Sequence, residues 1–474
     1  MDIRCSEQEL FLLRKIGRAA AGLQMPCYLI GGFVRDKLIG RDTKDLDIVC
    51  LGDGIALAEA VADRLSPSPQ VNFFRNFGTA QIKFQDVEIE FVGARRESYR
   101  DNSRKPDVEP GTMEDDQNRR DFTINALAIS LNDADFGVLI DPFNGQADLA
   151  AGIIRTPLEP DRTFSDDPLR MMRAIRFANQ LEFTIEPEIF ASIERNADRI
   201  AIVSMERTTV EFNKILLCRK PSIGLDLLYR SGLMQRIFPQ AVALAGAEYI
   251  DGKGHKDNFY HTLQVVDNIA PHTEDLWLRW AALLHDIGKP PTKRFEPGHG
   301  WTFHGHEVVG GRMVPKIFNQ FKLPTHEPMR FVRKLVELHL RPISLTKENI
   351  TDSAIRRLLF DAGEDFEALM TLCKADITSK NAQKVKRYLQ NFELVQQRAA
   401  EVEASDQLRN WQPPISGEKI MEVFDLPPGR QVGELKTAIR EAILDGIIPN
   451  DFGAAYQFML EKAQAMGLSK PTEG

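Results

Sequence analysis

The chain has 474 residues, which exceeds the length of one ordinary domain, so we expect several domains. The formal charge of −8 argues against a protein that coats nucleic acid through overall positive charge, so any RNA-binding surface must be local. No apolar run is long enough to span a bilayer and the first residues, MDIRCSEQEL, lack the apolar segment of a signal peptide, which predicts a cytoplasmic protein with no membrane partner.

The first 150 residues mix the patterns of strands and helices. Apolar runs such as CYLI and DLDIVC are typical of strands, whereas GIALAEAVADRL has the spacing of a helix. Residues 94–120 carry many charges and few large apolar side chains, which predicts a mobile loop. From about residue 160 onward, apolar positions recur at helical spacing, as in PLRMMRAIRFANQL. We therefore predict an α+β chain with a mixed head and an all-helical remainder.

A pair of carboxylates lies in the run KDLDIV. Strand geometry sends Asp45 and Asp47 to one face and the apolar residues between them to the core. Adjacent carboxylates repel each other unless cations compensate, and two Mg²⁺ ions would do so while activating a hydroxyl and a triphosphate. Upstream, Gly31 and Gly32 would let backbone amides approach phosphate, and Arg35 follows them. A solvated strand edge and a simple turn are the alternative.

The histidines are confined to one part of the chain. All nine fall between residues 255 and 339, less than a fifth of the sequence. This confinement predicts that the segment has chemistry of its own. The five cysteines lie far apart without the CxxC spacing of a zinc site, so we expect reduced structural thiols.

Five ordered motifs carry a family resemblance. The stretch LIGGFVRDKLIGRDTKDLDIV resembles the active-site signature of the class II tRNA nucleotidyltransferases and bacterial poly(A) polymerases, a branch of the polymerase β superfamily. The similarity continues through RRDFTINALAI, DPFNGQADLAAGIIRT, DDPLRMMRAIRFANQLEF and SMERTTVEFNKILL. The resemblance implies a polymerase β-like head in which Asp45 and Asp47 bind Mg²⁺ and catalyse nucleotidyl transfer.

The same resemblance implies that the later motifs bind the incoming nucleotide. Asp121 and Asn125, four residues apart, would share a helix face and meet the ribose and triphosphate, with a capped helix as the alternative. Asp167 and Arg170 would pair with the amine and ring nitrogen that cytosine and adenine both present and that uracil and guanine reverse. Asp167 could instead cap a helix that opens with Pro168. The full nucleotide-binding set is Gly31, Gly32, Arg35, Arg120, Asp121, Asn125, Asp167, Arg170, Arg173 and Arg176.

The histidine-rich segment resembles the HD metal-dependent phosphohydrolases through HTLQVVDNIA, LLHDIGK, FHGHEVVGGRM and KADITSKN. The resemblance implies one divalent metal bound by His261, His285, Asp286 and Asp376. Mixed imidazole and carboxylate donors suit Mn²⁺, Ni²⁺ or Fe²⁺, and Mg²⁺ is a further option. His306 and His339 would line the substrate or hold a second metal. A decayed site that keeps only the fold is the alternative.

These resemblances imply four domains and one principal activity. The domains are a nucleotidyltransferase head (1–150), a helical neck with the base-recognition helix (151–225), a helical body with the HD domain (226–400) and a tRNA-binding helical tail (401–474). The activity is untemplated addition of C, C and A to tRNA 3′ ends from CTP and ATP, beside a second phosphohydrolase site. The alternatives are an A-adding enzyme or poly(A) polymerase and, from another class, an HD phosphohydrolase or nucleotide sensor. The oligomeric state is not indicated by the sequence.

Overall fold

The computed structural model describes residues 1–75, 78–100, 103–347, 350–406 and 411–469. They form two compact units, Met1–Pro239 and Gln240–Gly474. Across these described ranges, no helix combines the length and the apolar character needed to cross a membrane. The first unit contains a sheet with helices and the second is dominated by helices, which confirms the predicted α+β class.

A seven-stranded sheet forms the centre of the first unit. The strands of this unit are β1 (Cys27–Ile30), β2 (Asp45–Cys50), β3 (Val71–Phe74), β4 (Thr79–Phe84), β5 (Val87–Gly93), β6 (Arg95–Arg100), β7 (Ser103–Pro110), β8 (Ala128–Ser130), β9 (Leu139–Ile140), β10 (Ile153–Ile154) and β11 (Thr184–Ile185). The sheet order is β3-β4-β5-β2-β1-β8-β9, and β2 pairs antiparallel with β1 and parallel with β5. The strand that carries the two carboxylates, β2, therefore lies in the middle of the sheet.

Helices cover this sheet and continue beyond it. They are α1 (Glu7–Gly22), α2 (Gly32–Leu38), α3 (Gly54–Ala62), α4 (Met113–Asn118), α5 (Gly145–Ala151), α6 (Pro160–Asp166), α7 (Leu169–Leu181), α8 (Pro187–Asn196), α9 (Met205–Leu216), α10 (Ser222–Arg230) and α11 (Leu233–Ile237). In α7 the apolar side chains of Met172, Ile175 and Ala178 are buried, which follows from their helical spacing. The polar side chains of α7 are thereby left to form the sites described below.

The described residues of the segment predicted as a mobile loop have regular secondary structure. Its described residues form an antiparallel hairpin, β6–β7, followed by α4. Charged pairs support the hairpin: Arg96 contacts Glu109 at 2.7 Å across the strands, and Glu97 contacts Arg119 at 3.5 Å. The prediction was wrong because backbone pairing and ion pairs hold this segment without the large apolar side chains that periodicity detects.

The second unit consists of helices with two small two-stranded sheets. From residue 239 onward the helices are α12 (Pro239–Val242), α13 (Asn258–Ile269), α14 (Leu276–Leu284), α15 (Lys289–Thr292), α16 (His306–Gln320), α17 (Glu327–Leu338), α18 (Arg341–Lys347), α19 (Asp352–Ala362), α20 (Phe366–Ala375), α21 (Ala382–Asp406), α22 (Gly417–Phe424), α23 (Arg430–Leu444) and α24 (Phe452–Ala465). The strands are β12 (Tyr249–Ile250), β13 (Lys253–Gly254), β14 (Arg294–Glu296) and β15 (Gly300–Thr302).

The predicted helical character of the second unit is confirmed, and its short strands are an addition to the prediction. The apolar core includes Trp280 of α14, whose ring lies 6.2 Å from that of Phe318 in α16 and 5.2 Å from that of Phe321. The predicted linker at 404–419 overlaps the end of α21 and the start of α22, and its residues 407–410 lie outside the described ranges. The packing of α13, α14, α16, α17 and α20 brings the ends of several helices to one place, where polar side chains gather.

Candidate nucleotidyl-transfer and metal sites

The two predicted carboxylates lie on β2 as the sequence pattern requires. Asp45 is exposed and Asp47 is half-buried, while Leu46 and Ile48 between and after them are buried. Burial raises the pKa of Asp47 to about 6, because it outweighs the attraction of the Arg120 guanidinium and is reinforced by neighbouring carboxylates. A divalent cation would remove this penalty, so the pair fits a Mg²⁺ site formed by oxygen donors.

A third carboxylate lies beside the pair and was missed in the sequence analysis. The parallel register of β2 and β5 places Glu90 directly opposite Asp47. Glu90 is exposed, whereas Ile89 and Phe91 on either side are buried. The alternation in VEIEFVG was the available signal, but the pairing of β5 with β2 could not be read from it. The site therefore has a further carboxylate directly beside Asp47 on the same face of the sheet.

The glycine pair forms the turn between β1 and α2. Gly31 has φ +84°, a left-handed conformation that favours glycine. A β-carbon on Gly31 would lie 3.6 Å from both an Arg120 guanidinium nitrogen and Asp47 Oδ2. Gly32 then begins α2. The turn thus brings the backbone of Gly31 close to the Asp47 carboxylate, which would also bind the Mg²⁺ that accompanies a nucleoside triphosphate.

A chain of hydrogen bonds links four of the ten predicted nucleotide-binding residues. The guanidinium of Arg35 donates to Asn125 Oδ1 at 2.6 Å, and Asn125 donates to Asp121 Oδ1 at 3.0 Å. Arg173 donates to Asp121 Oδ2 at 2.7 Å. Burial acts to raise the pKa of Asp121, but Arg173 and Asn125 outweigh it and lower the pKa to about 2. Asp121 is therefore a fixed negative charge that orients two arginines.

The network ends on a residue that was not predicted. Buried Glu211 of α9 lies 3.7 Å from Arg173 and forms an ion pair with Arg176. Glu211 therefore holds together two arginines that are one turn apart on α7. No local pattern in VEFNKILL distinguishes this glutamate from a solvated one, because its partners are more than thirty residues away.

The expectation of a shared helix for Asp121 and Asn125 is wrong. Thr123–Asn125 form a short 3₁₀ turn, and the following Ala128–Ser130 is strand β8. The two side chains nevertheless meet, because the turn curls the chain back within hydrogen-bonding distance. The proximity predicted from spacing is confirmed, although the type of backbone that produces it differs.

Asp167 and Arg170 lie at the start of α7 and have separate partners in this structure. Asp167 accepts from the Leu169 backbone at 3.2 Å, which is the capping contact considered above, and from Arg207 at 3.3 Å. Arg170 donates to the backbone carbonyls of Arg119 at 2.6 Å and Thr163 at 3.3 Å. These carbonyl bonds fix the direction of the Arg170 guanidinium.

A cavity of about 500 Å³ opens beside Arg170. Asp166, Arg119 and Glu97 of the β6–β7 hairpin are among its lining residues. Asp166, rather than the predicted Asp167, lines this cavity together with Arg170. The hairpin and the start of α7 therefore border one space.

In the second unit, the residues predicted for the HD site come together at the ends of helices. His261 lies on α13, His285 and Asp286 follow α14, and Asp376 follows α20. Nε2 of His261 and of His285 lie 3.5 and 3.3 Å from Asp286 Oδ2, and 2.9 and 3.3 Å from Asp376 Oδ1. These side chains can share one ion.

The two further histidines approach the other oxygen of the same aspartate. Nε2 of His306 lies 3.2 Å and Nε2 of His339 3.8 Å from Asp286 Oδ1. Asp286 therefore stands between two donor groups, His261 and His285 on one side and His306 and His339 on the other. A bridging carboxylate with a histidine pair at each oxygen is suited to one ion or two.

Unpartnered ring nitrogens show that this cluster fits a cation. Nε2 of His285, His306 and His339 is buried and has no hydrogen-bond partner among the described residues. Nδ1 of each ring instead contacts a backbone carbonyl, at 2.7, 2.9 and 2.6 Å respectively. Since Nδ1 carries the proton in such a bond, the Nε2 lone pair points into the cluster. Buried lone pairs without donors are costly unless a metal accepts them.

Charge in this cluster is unbalanced. In the absence of a metal ion, burial acts to lower the pKa of His285, yet Asp286 and Asp376 outweigh it and raise the pKa to about 10, so a proton on Nε2 would take the place of the metal ion. Burial and neighbouring His285 lower the pKa of His339 to about 4. Lys289 contacts Asp286 at 2.7 Å, so an ammonium already lies against the carboxylates. The cluster attracts positive charge, which a divalent ion would supply.

Comparison with known proteins agrees with both sites. Three family models match: the poly A polymerase head domain at residues 27–155, the "Probable RNA and SrmB- binding site of polymerase A" at residues 182–244 and the HD domain at residues 258–380. The chain thus combines a nucleotidyltransferase head with an HD domain.

Relatives along most of the chain extend this result. An A-adding tRNA nucleotidyltransferase of Deinococcus radiodurans is 30% identical, over 87% of this chain and 90% of its own length. A multifunctional CCA protein of Nitrosococcus oceani is 33% identical, over 78% of this chain and 89% of its own. The chain therefore belongs to the tRNA nucleotidyltransferase family, and it is an enzyme of the metal-dependent kind.

Solved structures agree on the fold. The CCA-adding enzyme of Bacillus stearothermophilus in complex with CTP has a TM-score of 0.66 and 24% identity, covering 97% of this chain and 98% of that one. The Thermotoga maritima CCA-adding enzyme complexed with tRNA has a TM-score of 0.61 and 21% identity, covering 97% of each chain. The predicted fold is confirmed.

Proposed function

We propose that this chain adds C, C and A to the 3′ end of tRNA from CTP and ATP, without a nucleic-acid template. The observation that carries the proposal is the carboxylate pair Asp45 and Asp47 on β2, beside the Gly31 turn and the arginine network of α7. Relatives that match along most of the chain are named for this activity or for A addition. Such an enzyme would meet its tRNA, CTP and ATP in the cytoplasm.

Each residue has a chemical role in this proposal. Asp45 and Asp47 hold Mg²⁺, which when bound lowers the charge of the triphosphate and activates the RNA 3′-hydroxyl. Arg35 and Arg173, both tied into the network of Asp121 and Asn125, balance the phosphate charge. Because the protein supplies these charges already oriented, little reorganisation is needed as the new bond forms.

Selection of the base belongs to the start of α7. Arg170 donates to an acceptor nitrogen and Asp167 accepts from an amine, a combination that cytosine and adenine satisfy. The adjoining β6–β7 hairpin borders the same cavity and supports the change from C to A addition, which is why we favour CCA addition over A addition alone. The predicted division into head, neck, body and tRNA-binding tail stays part of this proposal.

The test uses three tRNAs that end before the first C, before the second C and before the A. Purified protein is incubated with each tRNA and each nucleoside triphosphate in turn, with Mg²⁺. CCA addition predicts CTP incorporation into the first two substrates and ATP incorporation only into the third. An A-adding enzyme incorporates ATP into the third and no CTP, and a poly(A) polymerase extends any end with repeated A.

We propose a second activity for the HD cluster, the hydrolysis of phosphoesters with a transition metal. The observation that carries this proposal is that the buried Nε2 atoms of His285, His306 and His339 face Asp286. None of the three accepts a hydrogen bond from a described residue. Mixed nitrogen and oxygen donors favour Ni²⁺, Mn²⁺ or Fe²⁺ over Mg²⁺. Metal analysis of the purified protein, followed by assays with 2′,3′-cyclic nucleotides under each metal, tests it. Protein that binds none of these metals and hydrolyses no phosphoester would show that the cluster is only a scaffold.

A further inference from the structure

A second cavity, of about 700 Å³, lies on the first unit at the other end of α7. It is lined by side chains of α7 and α9 and by the segment before β2. Its lining residues are Arg41, Arg176, Asn179, Gln180, Leu181, Glu182, Lys214, Leu217, Cys218 and Arg219. Four of them are cationic and one, Glu182, is anionic, so the cavity is strongly positive although the chain as a whole is acidic.

Two of the four cations have no carboxylate against them. Arg219 contacts Glu182 at 2.8 Å and Arg176 pairs with Glu211. Within the described residues, Lys214 forms no ion pair, and Arg41 donates to the Gln180 backbone carbonyl at 3.1 Å with the rest of its guanidinium uncommitted. Burial and the neighbouring Arg176 guanidinium lower the pKa of Lys214, and they outweigh the opposite effect of Glu211.

The cavity is tied to both halves of the proposed reaction. Arg41 is four residues before Asp45, so their α-carbons are at most about 14 Å apart. On α7, Arg176 lies three residues beyond Arg173 of the nucleotide network, roughly 4.5 Å along the helix axis. Lys214 and Arg219 fall within the segment 182–244, which matches an RNA-binding family model.

We propose that Arg41, Lys214 and Arg219 bind the phosphate backbone of the RNA immediately upstream of the 3′-hydroxyl that is extended. This proposal rests on the proposed function. It assigns the cavity at the C-terminal end of α7 to the RNA rather than to the nucleotide. All three cations are exposed, and Arg41 and Lys214 have no ion-pair partner among the described residues, which suits phosphodiester groups that carry one charge each and no sequence information. The apolar Leu181 and Leu217 would face sugar or base.

The test measures Arg41→Ala, Lys214→Ala and the double variant, with Arg18→Ala as a control that removes an exposed arginine of α1 outside the cavity. We expect the KM for tRNA to rise about tenfold in each single variant, since charge-assisted contacts are of this size. The KM for CTP should stay within about twofold, because the cavity does not hold the nucleotide. Arg41→Lys should recover most of the loss.

Salt dependence gives a readout that does not need turnover. Binding of fluorescently labelled tRNA is measured between low and moderate salt, and each lost phosphate contact should reduce the slope of log affinity against log salt by about 0.7. Thermal melting confirms that each variant is folded, and Lys214→Gln is the milder alternative if Lys214→Ala is not.

Three outcomes would overturn this assignment. Equal rises in the KM for CTP and for tRNA would place the triphosphate in the cavity. If tRNA affinity and its salt dependence were unchanged in the double variant, the cavity would be a solvated surface that does not bind RNA. An equal effect of Arg18→Ala would mean that the loss of any positive charge weakens tRNA binding, whether or not it lies in the cavity. Wild-type protein that extends no tRNA contradicts the proposed function instead, and the binding measurement still decides whether the cavity holds RNA.

Discussion

The head carboxylates and the HD cluster differ in the atoms they offer and in their access to water. At the head, Asp45 is exposed, Asp47 is half-buried and all the donors are oxygens. In the HD cluster, His285, His339 and Asp286 are buried, and nitrogen donors are held in direction by backbone carbonyls. An open oxygen site suits an ion that arrives and leaves with a triphosphate. A closed site with fixed nitrogen lone pairs suits an ion that stays.

The difference predicts that the two sites lose metal under different conditions. Brief treatment with a chelator followed by gel filtration should abolish nucleotide addition at the head. Adding Mg²⁺ alone should restore this activity. The metal of the HD cluster should survive that treatment and disappear only after prolonged dialysis. This experiment distinguishes an ion that arrives with the substrate at the head from an ion that stays bound in the HD cluster. Four substitutions test the contrast further.

The largest effect is expected for Asp47→Asn. It removes one charge from the pair that binds the cations, so the rate of CTP incorporation should fall by about 10³-fold or more. Metal content and phosphoester hydrolysis at the HD cluster should not change. Incorporation assays, metal analysis and circular dichroism on the same preparation check this. A folded variant with near wild-type turnover would show that Asp47 does not hold the metal.

The reciprocal change is Asp286→Ala, for which His304→Ala is a control because the His304 side chain is exposed. Loss of the carboxylate between the four histidines should lower transition-metal affinity by at least about 100-fold and abolish hydrolysis. Incorporation of CTP and ATP should stay at the wild-type rate. Elemental analysis and the two activity assays decide it. If incorporation fell together with metal content, the two sites would not be independent.

A smaller and more selective effect is expected for Arg170→Ala. Its guanidinium is the donor that opposes the N–H of uracil and guanine, so discrimination against UTP and GTP should relax by about 10- to 100-fold, beside a lower rate. Competition between CTP and UTP on tRNA that ends before the first C measures the ratio. A slower enzyme with unchanged selectivity would assign Arg170 to the carbonyls of Arg119 and Thr163, as a structural residue of the helix.

The smallest effect is expected for Gly31→Ala. The left-handed backbone at Gly31 disfavours a β-carbon by about 1–2 kcal/mol, so we expect a modest loss of stability and a several-fold rise in the KM for CTP. Urea unfolding and CTP titration check the two effects. Gly40→Ala is the matched control, because Gly40 also has positive φ but nothing lies within 4 Å of its added β-carbon. An equal KM rise there would mean that strain rather than contact is responsible.

The sequence was sufficient where a function rests on local order. The alternation around Asp45 and Asp47 predicted their strand and their face, and the resemblance to the HD motifs implied which histidines and aspartates gather. It was insufficient where function rests on pairing between distant segments. Glu90 is recognised only through the register of β5 against β2, and the hairpin at 95–110 only through strand pairing and ion pairs. The alternation around Glu90 indicates a strand but not its partner, and the hairpin leaves no periodic apolar signal.

Helix α7 carries Arg170, Arg173 and Arg176 at intervals of three residues, with the base-recognition cavity near its start and the basic cavity near its end. On the proposals above, the pitch of one helix then sets the spacing between the incoming base, the triphosphate and the RNA. Inserting a single residue after Arg170 would rotate everything beyond it by about 100°. Side chains along α7 can therefore vary in chemistry, whereas a change in the number of residues between Arg170 and Gln180 would put the two substrates out of phase.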